Sequence, residues 1–453
     1  MSRFPATMAS LALAGLFLVS FGMDCRNLAG GGACRNPAGS GCIDLRNRVT
    51  GVRILEARRD PYHHKWAKTE TSDFCDPYNN PALPVSKTTV TPTMLLLHDP
   101  VAALPYRYGR FLWLGFQWAC LLAVVAAGWR MCGAGRARWA WVLAVAAFTY
   151  TASWRLHAER GQSYVVLAAC LAWWIALTRE ARPGHRIGCG LLAGALVALR
   201  PPFLFLLPFL FWRRRGQLPG LALGLVVALG LPLLVNPACW HDYHAAMQEW
   251  SHFYRSGIDP RPPPQAYPWA TVEGLPIDVL GYFADIPFAD SSLFYLFRSW
   301  GVTPLPSYSL LVSFLVMFGV WHWLARRQDD DTILLGLGCW AFLADFFLPA
   351  LRNSYNDVLI LAALAVAFAM LGRAAADDTN RAGGGGRAAW LPWLLLVVVP
   401  AGWWVYAALP AREILINLPT IGFVAIALLG LVWPLLPAGR ANGGTVSGGE
   451  GAA

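Results

Sequence analysis

The stretch GLLAGALVALRPPFLFLLPFLFWRRR, residues 190–215, contains two apolar runs separated by an arginine and two prolines, and it ends in three consecutive arginines. Each run is shorter than the ~20 residues that usually cross a bilayer as a helix. Pro201 and Pro202 interrupt helical hydrogen bonding, so we predict a tight membrane hairpin or a broken helix at the membrane surface. The three arginines then mark a loop on the cytoplasmic side.

Similar apolar runs recur along the whole chain, which has 453 residues, 56% of them hydrophobic and 14% charged. Soluble domains carry about 25% charged residues, and barrel strands would be alternating segments of about 10 residues. We therefore predict an all-α, polytopic membrane protein with about 11 or 12 transmembrane helices. The predicted spans are 6–23, 110–129, 138–155, 163–178, 187–199, 201–212, 218–236, 306–325, 332–350, 355–372, 389–409 and 415–436.

The distribution of arginine predicts the topology. With a cytoplasmic N-terminus, the inner loops hold fourteen arginines and the short outer loops hold five, which is a positive-inside pattern. This pattern also accounts for the net charge of +10, so we predict no nucleic-acid partner. The first span fits a cleaved signal peptide as well as a retained helix, and either leaves the next segment outside the cell membrane.

Two predicted outer loops are long, residues 24–109 and 237–305. Long loops usually carry function, so we predict that the working face is extracytoplasmic. Both loops belong to a predicted catalytic module over residues 1–372. It is followed by a glycine-rich linker (373–388), a C-terminal transmembrane hairpin (389–436) and a cytoplasmic tail (437–453). The outer loops also contain Cys25, Cys34, Cys42, Cys75 and Cys239, which allow one or two disulfides of unknown pairing.

The first outer loop contains DLRNRVTGVRIL, residues 44–55, which has the periodicity of an amphipathic helix. Leu45, Val49, Val52 and Leu55 form an apolar stripe, which predicts a helix lying at the membrane surface. Arg48 falls inside that stripe, so it needs a carboxylate or a lipid phosphate as a partner. Asp44 precedes the stripe, where it would serve as an N-cap or as a functional carboxylate.

Three further segments reach the same predicted face. WRLHAERGQSY (154–164) brings Arg160 and Gln162, and LRPPF (199–203) brings Arg200. LRNSYNDVL (351–359) brings Arg352, Asn356 and Asp357. These arginines oppose the positive-inside pattern, which an anionic ligand at the outer surface would explain. Local ion pairs, such as Arg352 with Asp357, are the alternative.

A carboxylate and several arginines facing outward suit a lipid-linked phosphosugar. Arginine grips a phosphate bidentately and stabilises a leaving group, while a carboxylate removes a proton from an acceptor hydroxyl. Two other hypotheses stay open. A transporter or flippase of polyprenyl-linked glycans would need charges deep in the spans on both sides of the midplane, and a membrane scaffold would leave the outer arginines dispensable.

Metal-binding patterns in the sequence are weak. WHDYH (240–244) and His63-His64 lack the companion ligands of a zinc site. The acids of RRQDDDT (326–332) are better explained as a helix cap, with Asp331 ahead of the next span. Asp345, inside a span, is either functional or paired with Arg352. We predict no metal site and no cofactor besides a lipid-linked sugar as co-substrate, although a divalent metal stays open.

Residues 44–370 resemble glycosyltransferase family 87. The resemblance is carried by four stretches: ERGQSYVVLAACLAWWIALTRE, GLLAGALVALRPPFLFLLPFLFWRRR, DLRNRVTGVRILEARRDPY and VTPTMLLLHDPVAALP. The resemblance implies a GT-C-like fold and transfer of mannose or another hexose or pentose. The donor would be a polyprenyl-phosphate sugar, and the acceptor a glycan, lipid or protein outside the cell membrane.

Matched by position, Asp44 would be the catalytic base, Gln162 the glutamine of the family's G-Q segment and Arg200 the basic residue before proline. From their predicted place on the outer face, we expect Arg48, Arg160, Arg200 and Arg352 to bind the donor phosphate. We expect Gln162, Asn356 and Asp357 to bind substrate. Tyr164 departs from the family pattern, where asparagine is common, and Thr91-Pro92-Thr93 replaces a tyrosine-proline-proline segment.

Overall fold

The computed structural model describes most of the chain between residues 3 and 380. The described residues are 3–29, 42–67, 69–76, 79, 83–133, 135–180, 182–256, 271–272, 275–276, 292–293, 307–348 and 352–380. Residues 381–453, which include the predicted C-terminal hairpin and tail, lie outside the described residues. Most of the second outer loop also lies outside them.

The described residues are almost entirely helical, and the predicted all-α class is confirmed. The helices are α1 Arg3–Leu28, α2 Ile43–Glu56, α3 Pro92–Leu96, α4 Asp99–Ala102, α5 Tyr106–Met131, α6 Arg136–Phe148, α7 Ala152–Arg160, α8 Tyr164–Glu180, α9 Arg186–Leu199, α10 Leu207–Arg213, α11 Leu218–Val235, α12 Cys239–Ser256, α13 Ser307–Ala325, α14 Asp330–Phe347 and α15 Ile360–Asn380. A two-residue antiparallel pair joins β1 (Thr271–Val272) to β2 (Leu275–Pro276). Short 3₁₀ segments complete the connections.

The membrane-spanning character predicted from the apolar runs is confirmed. Within the described part of the chain, four helical segments are long and apolar enough to cross a bilayer: Thr7–Leu28, Tyr106–Met131, Arg215–Val235 and Tyr355–Arg373. The bent pair Ser153–Arg160 and Tyr164–Glu180 makes a fifth candidate. Shorter apolar helices, Pro183–Leu199, Pro201–Arg213 and Ser309–Ala325, account for other predicted spans. Long apolar side chains remain exposed on α1, α5, α11 and α13, as expected of surfaces that face lipid.

The proline-interrupted stretch forms the predicted break between two helical segments. α9 ends at Leu199, Arg200 is extended, and a 3₁₀ turn over Pro201–Leu206 leads into α10. Glycines then bring α9 against α11. A Cβ on Gly190 would lie 2.1 Å from the backbone oxygen of Gln217, and one on Gly220 would lie 2.2 Å from that of Ile187. Small residues at this spacing allow close helix contact without large side chains.

Charged residues gather at two opposite ends of the bundle. At one end, acids beside α8 and α14 pair with arginines of the predicted inner loops: Glu180 with Arg130, Asp331 with Arg179 and Arg373, and Asp330 with Arg213 and Arg214. The predicted cap of α14 is shifted by two residues, because Asp329 accepts the hydrogen bond from the Thr332 amide while Asp331 is engaged in ion pairs. The other end of the bundle carries α2, with Asp44 in its first turn.

The predicted helix forms as α2, but its polar side is not open to solvent as it would be in an amphipathic surface helix. Its apolar stripe is fully buried, but Arg46, Asn47 and Thr50 on the polar side are buried as well. The loop after α2 folds back over them, since Asp76 accepts a hydrogen bond of 3.0 Å from the Asn47 amide. The helix is therefore enclosed between the transmembrane bundle and its own following loop.

Helices occupy parts of two segments in which no helix was predicted. α15 continues from the last described span to Asn380, and the second long loop begins with an 18-residue helix, α12. Cys25, Cys42, Cys75 and Cys239 are free thiols, and Cys34 lies outside the described residues.

Candidate active site

The site is built on the break between α7 and α8. Thr151 caps α7 by accepting a hydrogen bond from the Trp154 amide, and α7 ends at Gly161, which has a φ of 67°. A glycine adopts this left-handed conformation without steric penalty. α8 then leaves at 115° to α7. A Cβ at Gly161 would lie 2.6 Å from the Cβ of Leu45, so the glycine also allows α2 to approach the break.

Asp44 points from the first turn of α2 into this break. Its Oδ2 accepts a hydrogen bond of 2.6 Å from Arg160 Nε, and its Oδ1 accepts one of 3.2 Å from Arg160 Nη2. The Gln162 side-chain amide donates to the same carboxylate. Cys42, not Asp44, occupies the N-cap position, so the alternative of a simple cap does not describe this carboxylate.

The electrostatic environment keeps Asp44 ionised. Burial raises the pKa of Asp44, but the charge and hydrogen bonds of Arg160 outweigh it, together with the charges of Arg48 and Lys87, so its pKa lies below the ordinary value. The side chain of Asp44 is still 24% exposed, and that of Arg160 is 19% exposed. This carboxylate is therefore charged, fixed in orientation and accessible.

Arg48 holds the other side of Gln162. Its Nη1 donates to the Gly161 carbonyl at 3.0 Å, and its Nη2 donates to Gln162 Oε1 at 2.6 Å. We expected a carboxylate or a phosphate as its partner, but a carbonyl and an amide oxygen satisfy these donors. Arg48 is only 6% exposed, so its place is behind Gln162 rather than at a phosphate.

Arg200 lies beside the same site but is held by a different acid. It forms an ion pair with Asp345, with Arg200 Nε 3.1 Å from Asp345 Oδ1. Asn356 donates to the other oxygen of Asp345 at 2.9 Å. The alternative pairing of Asp345 with Arg352 is not the one observed, because Arg352 pairs with Asp357 while Arg200, in extended backbone, and Asn356, in the 3₁₀ segment Ser354–Leu359, bind Asp345.

Two tyrosines connect Arg200 to Arg160. The Arg200 guanidinium carbon lies 4.7 Å from the Tyr164 ring centroid, and that of Arg160 lies 5.6 Å from the Tyr355 ring centroid. The two rings are themselves 5.9 Å apart. Pairwise contacts therefore link Asp44, Arg160, Gln162 and Arg200, and the structure brings these four predicted residues together.

Arg352 and Asp357 are brought together elsewhere. Arg352 Nη2 lies 2.8 Å from Asp357 Oδ1, and both side chains are 1% exposed. Ser153 donates to the second oxygen of Asp357 at 3.0 Å, and the Arg352 guanidinium carbon lies 3.6 Å from the Phe346 ring centroid. Because the pair is enclosed, its geometry favours the local ion pair over direct contact with a phosphate or substrate.

Sequence reasoning missed Lys87, Tyr164 and Tyr355 as members of the site. Lys87 comes from the irregular part of the first outer loop, where no periodic pattern indicates direction, and its charge acts on Asp44. In the sequence, Tyr164 stands out only as a departure from the family pattern, and Tyr355 only as the first residue of a predicted span. Among the described residues, no three His, Cys, Asp or Glu side chains converge in a metal-binding arrangement.

Comparisons with known proteins bear on this site. No curated protein matches the chain. The crystal structure of ArnT from Cupriavidus metallidurans in the apo state is similar to it with a TM-score of 0.41 and 15% sequence identity, over 95% of this chain and 77% of that one. The model of glycosyltransferase family 87 matches residues 89–258, which include Arg160, Gln162 and Arg200. This match confirms the resemblance predicted from the motifs and supports a membrane glycosyltransferase activity.

Proposed function

We propose that this membrane glycosyltransferase takes its sugar from a polyprenyl-phosphate donor and transfers it to a glycan, lipid or protein acceptor on the extracytoplasmic face. The observation that carries the proposal is the partly exposed carboxylate of Asp44, bound bidentately by Arg160 and oriented by Gln162. A charged, oriented carboxylate beside arginines matches the needs of glycosyl transfer from a phosphate leaving group.

Asp44 acts as the general base in this proposal. Its carboxylate accepts the proton of an acceptor hydroxyl while the hydroxyl oxygen attacks the anomeric carbon of the donor sugar. The bond between that carbon and the phosphate oxygen breaks, and polyprenyl phosphate leaves with the electron pair. One displacement of this kind inverts the configuration at the anomeric carbon.

Arg160 and Arg200 are the groups that we assign to the donor phosphate. Their side chains are 19% and 23% exposed, and the neighbouring rings of Tyr355 and Tyr164 flank the two guanidinium groups. Arg160 engages Asp44 through the same two donors with which a guanidinium binds a phosphate. A donor phosphate therefore competes with Asp44 for Arg160, and its binding releases the carboxylate to act as a base.

Arg48 is a positioning residue in this scheme. It contacts Gln162 and the carbonyl of Gly161, and Gln162 in turn contacts Asp44. The Gln162 side-chain amide, held by Arg48, keeps its hydrogen bond to the Asp44 carboxylate and so maintains the orientation of Asp44 after Arg160 has moved toward the phosphate. Arg48 lies in the apolar stripe of α2 because that buried side of the helix meets Gly161 and Gln162, whose oxygens accept its hydrogen bonds.

The proposal is tested with purified protein in lipid nanodiscs, given labelled polyprenyl-phosphate-mannose, the corresponding pentose donor and a set of lipid and glycan acceptors. Wild type is expected to transfer label to one acceptor, and Asp44→Asn is expected to abolish transfer. The matched control is Asp73→Asn, because Asp73 is an exposed aspartate of the same loop that pairs with Arg53. Normal transfer by Asp44→Asn would refute the proposed base.

A further inference from the structure

A cavity with both polar and aromatic walls lies beside α2, on the side covered by the first outer loop. Its volume is about 120 Å³, and its walls include the aromatic rings of Trp66 and Phe74 together with Asn47, Asp76 and Thr88. A volume of this size holds several waters, so a small polar group can enter. The catalytic scheme above uses none of these residues.

The hydrogen-bonding groups of the cavity are fixed before any ligand arrives. Asn47 donates to Asp76 at 3.0 Å, which orients that carboxylate. Lys65 donates to Asn79 Oδ1 at 3.1 Å and to the Val85 carbonyl at 2.8 Å. Burial lowers the pKa of Lys65 to about 8, although the charge of Asp76 opposes this shift.

The lining combines flat apolar rings with oriented acceptors and donors. Aromatic faces pack against the C–H surface of a sugar ring, and carboxylates and amides bond its hydroxyls. A prenyl chain or fatty acid carries no hydroxyls to donate to the Asp76 carboxylate or to pair with the Asn47 amide, so it would leave these cavity groups without new partners. A phosphate would meet the Asp76 carboxylate, which repels an anion.

We propose that this cavity is a carbohydrate subsite that holds one sugar unit of the acceptor, and that it thereby selects a glycan as the acceptor class. The inference rests on the proposed function for its role in transfer, but the binding of sugar does not depend on the chemistry at Asp44.

The cavity is connected to Asp44 by two elements. Asn47 lies one turn from Asp44 on α2, and the helix advances about 9 Å from Asp44 to Thr50 at the far wall. Along the loop, Thr88 lines the cavity while the charge of the adjacent Lys87 acts on Asp44. A glycan held in the cavity can therefore extend its next unit toward the base.

The test uses wild-type protein in nanodiscs and a panel of methyl glycosides of the common hexoses and pentoses, with binding followed by saturation-transfer difference NMR. At least one glycoside is expected to bind, and Trp66→Ala or Asp76→Asn is expected to raise its dissociation constant about tenfold or more. Trp66→Phe keeps a ring at the wall and is expected to retain most of the binding.

The controls separate this inference from the proposed function. Asp73→Asn, outside the cavity, and Asp44→Asn are both expected to leave glycoside binding unchanged, and only Asp44→Asn abolishes transfer. The inference is overturned if no glycoside binds, or if Trp66→Ala and Asp76→Asn bind like wild type. Glycoside binding without any transfer from polyprenyl-phosphate donors would sustain the subsite and overturn the function.

Discussion

Replacing Asp44 by asparagine is expected to remove catalysis while leaving the protein folded. The substitution keeps the size of the side chain and one oxygen that can accept a hydrogen bond from Arg160. It removes the charge that accepts a proton. The matched structural case is Asp357→Asn, which makes the same chemical change in a carboxylate that is also bound to an arginine.

The expected magnitudes follow from burial. Loss of a general base lowers kcat by about 10²–10⁴-fold. The cost to stability is modest at Asp44, about 1–3 kcal/mol, because Arg160 retains 19% exposure and can be hydrated. At Asp357 both partners are 1% exposed, so an unpaired Arg352 charge costs about 3–5 kcal/mol.

The assay measures initial rates of sugar transfer per folded molecule together with thermal unfolding in the same nanodiscs. Asp44→Asn should unfold close to the wild-type temperature with transfer near background. Asp357→Asn should unfold at a clearly lower temperature with turnover per folded molecule near that of wild type. The reasoning is refuted if Asp44→Asn keeps more than about a tenth of wild-type turnover, or if Asp357→Asn loses turnover without losing stability.

Other predictions concern the groups around this carboxylate. The lysine of Arg48→Lys cannot reach both Gly161 and Gln162. We therefore expect kcat to fall about tenfold or more while the donor KM changes little. An equal rise in the donor KM would instead place Arg48 at the phosphate. The base must be deprotonated, and Arg160 holds the pKa of Asp44 below its ordinary value, so kcat/KM should stay flat as pH falls from neutrality toward about 4. Arg160→Gln removes the largest effect that opposes burial, so the pKa of Asp44 rises and that acid limb should move to higher pH. An unmoved limb would exclude Asp44 as the titrating base. Gly161→Ala imposes strain at a φ of 67° and should lower the free energy of unfolding by about 1–3 kcal/mol. Chemical unfolding measures this change. A variant as stable as wild type would contradict the close approach of α2.

Several features of the site followed from local sequence patterns. The interruption at Pro201 predicted a break, because proline lacks the amide that a continuing helix needs. The position of Arg48 in the apolar stripe predicted a buried cation with a partner. Asp44, Arg160, Gln162 and Arg200 were expected at one end because hydropathy and arginine distribution assign loops to sides of a membrane.

The choice of partners could not be read from the same patterns. Sequence placed Asp345 near Arg352, since the two are close along the chain, but the chain path gives Asp345 to Arg200. The loop after α2 carries no periodicity, so neither its return over Asn47 nor the approach of Lys87 was foreseen. Contacts between distant segments depend on how helices pack, and packing of this kind leaves no regular trace in one sequence.

The sequence by itself determined the all-α membrane class and the end of the bundle that carries the site, because both depend on hydrophobic periodicity and on the sign of charge along the chain. Only the tertiary structure decided that Arg160 binds Asp44 and that Arg200 pairs with Asp345. The physical reason is that the exposure of a charge and the identity of its counterion are set by segments more than a hundred residues apart, which the turn at Gly161 and the helix packing bring together.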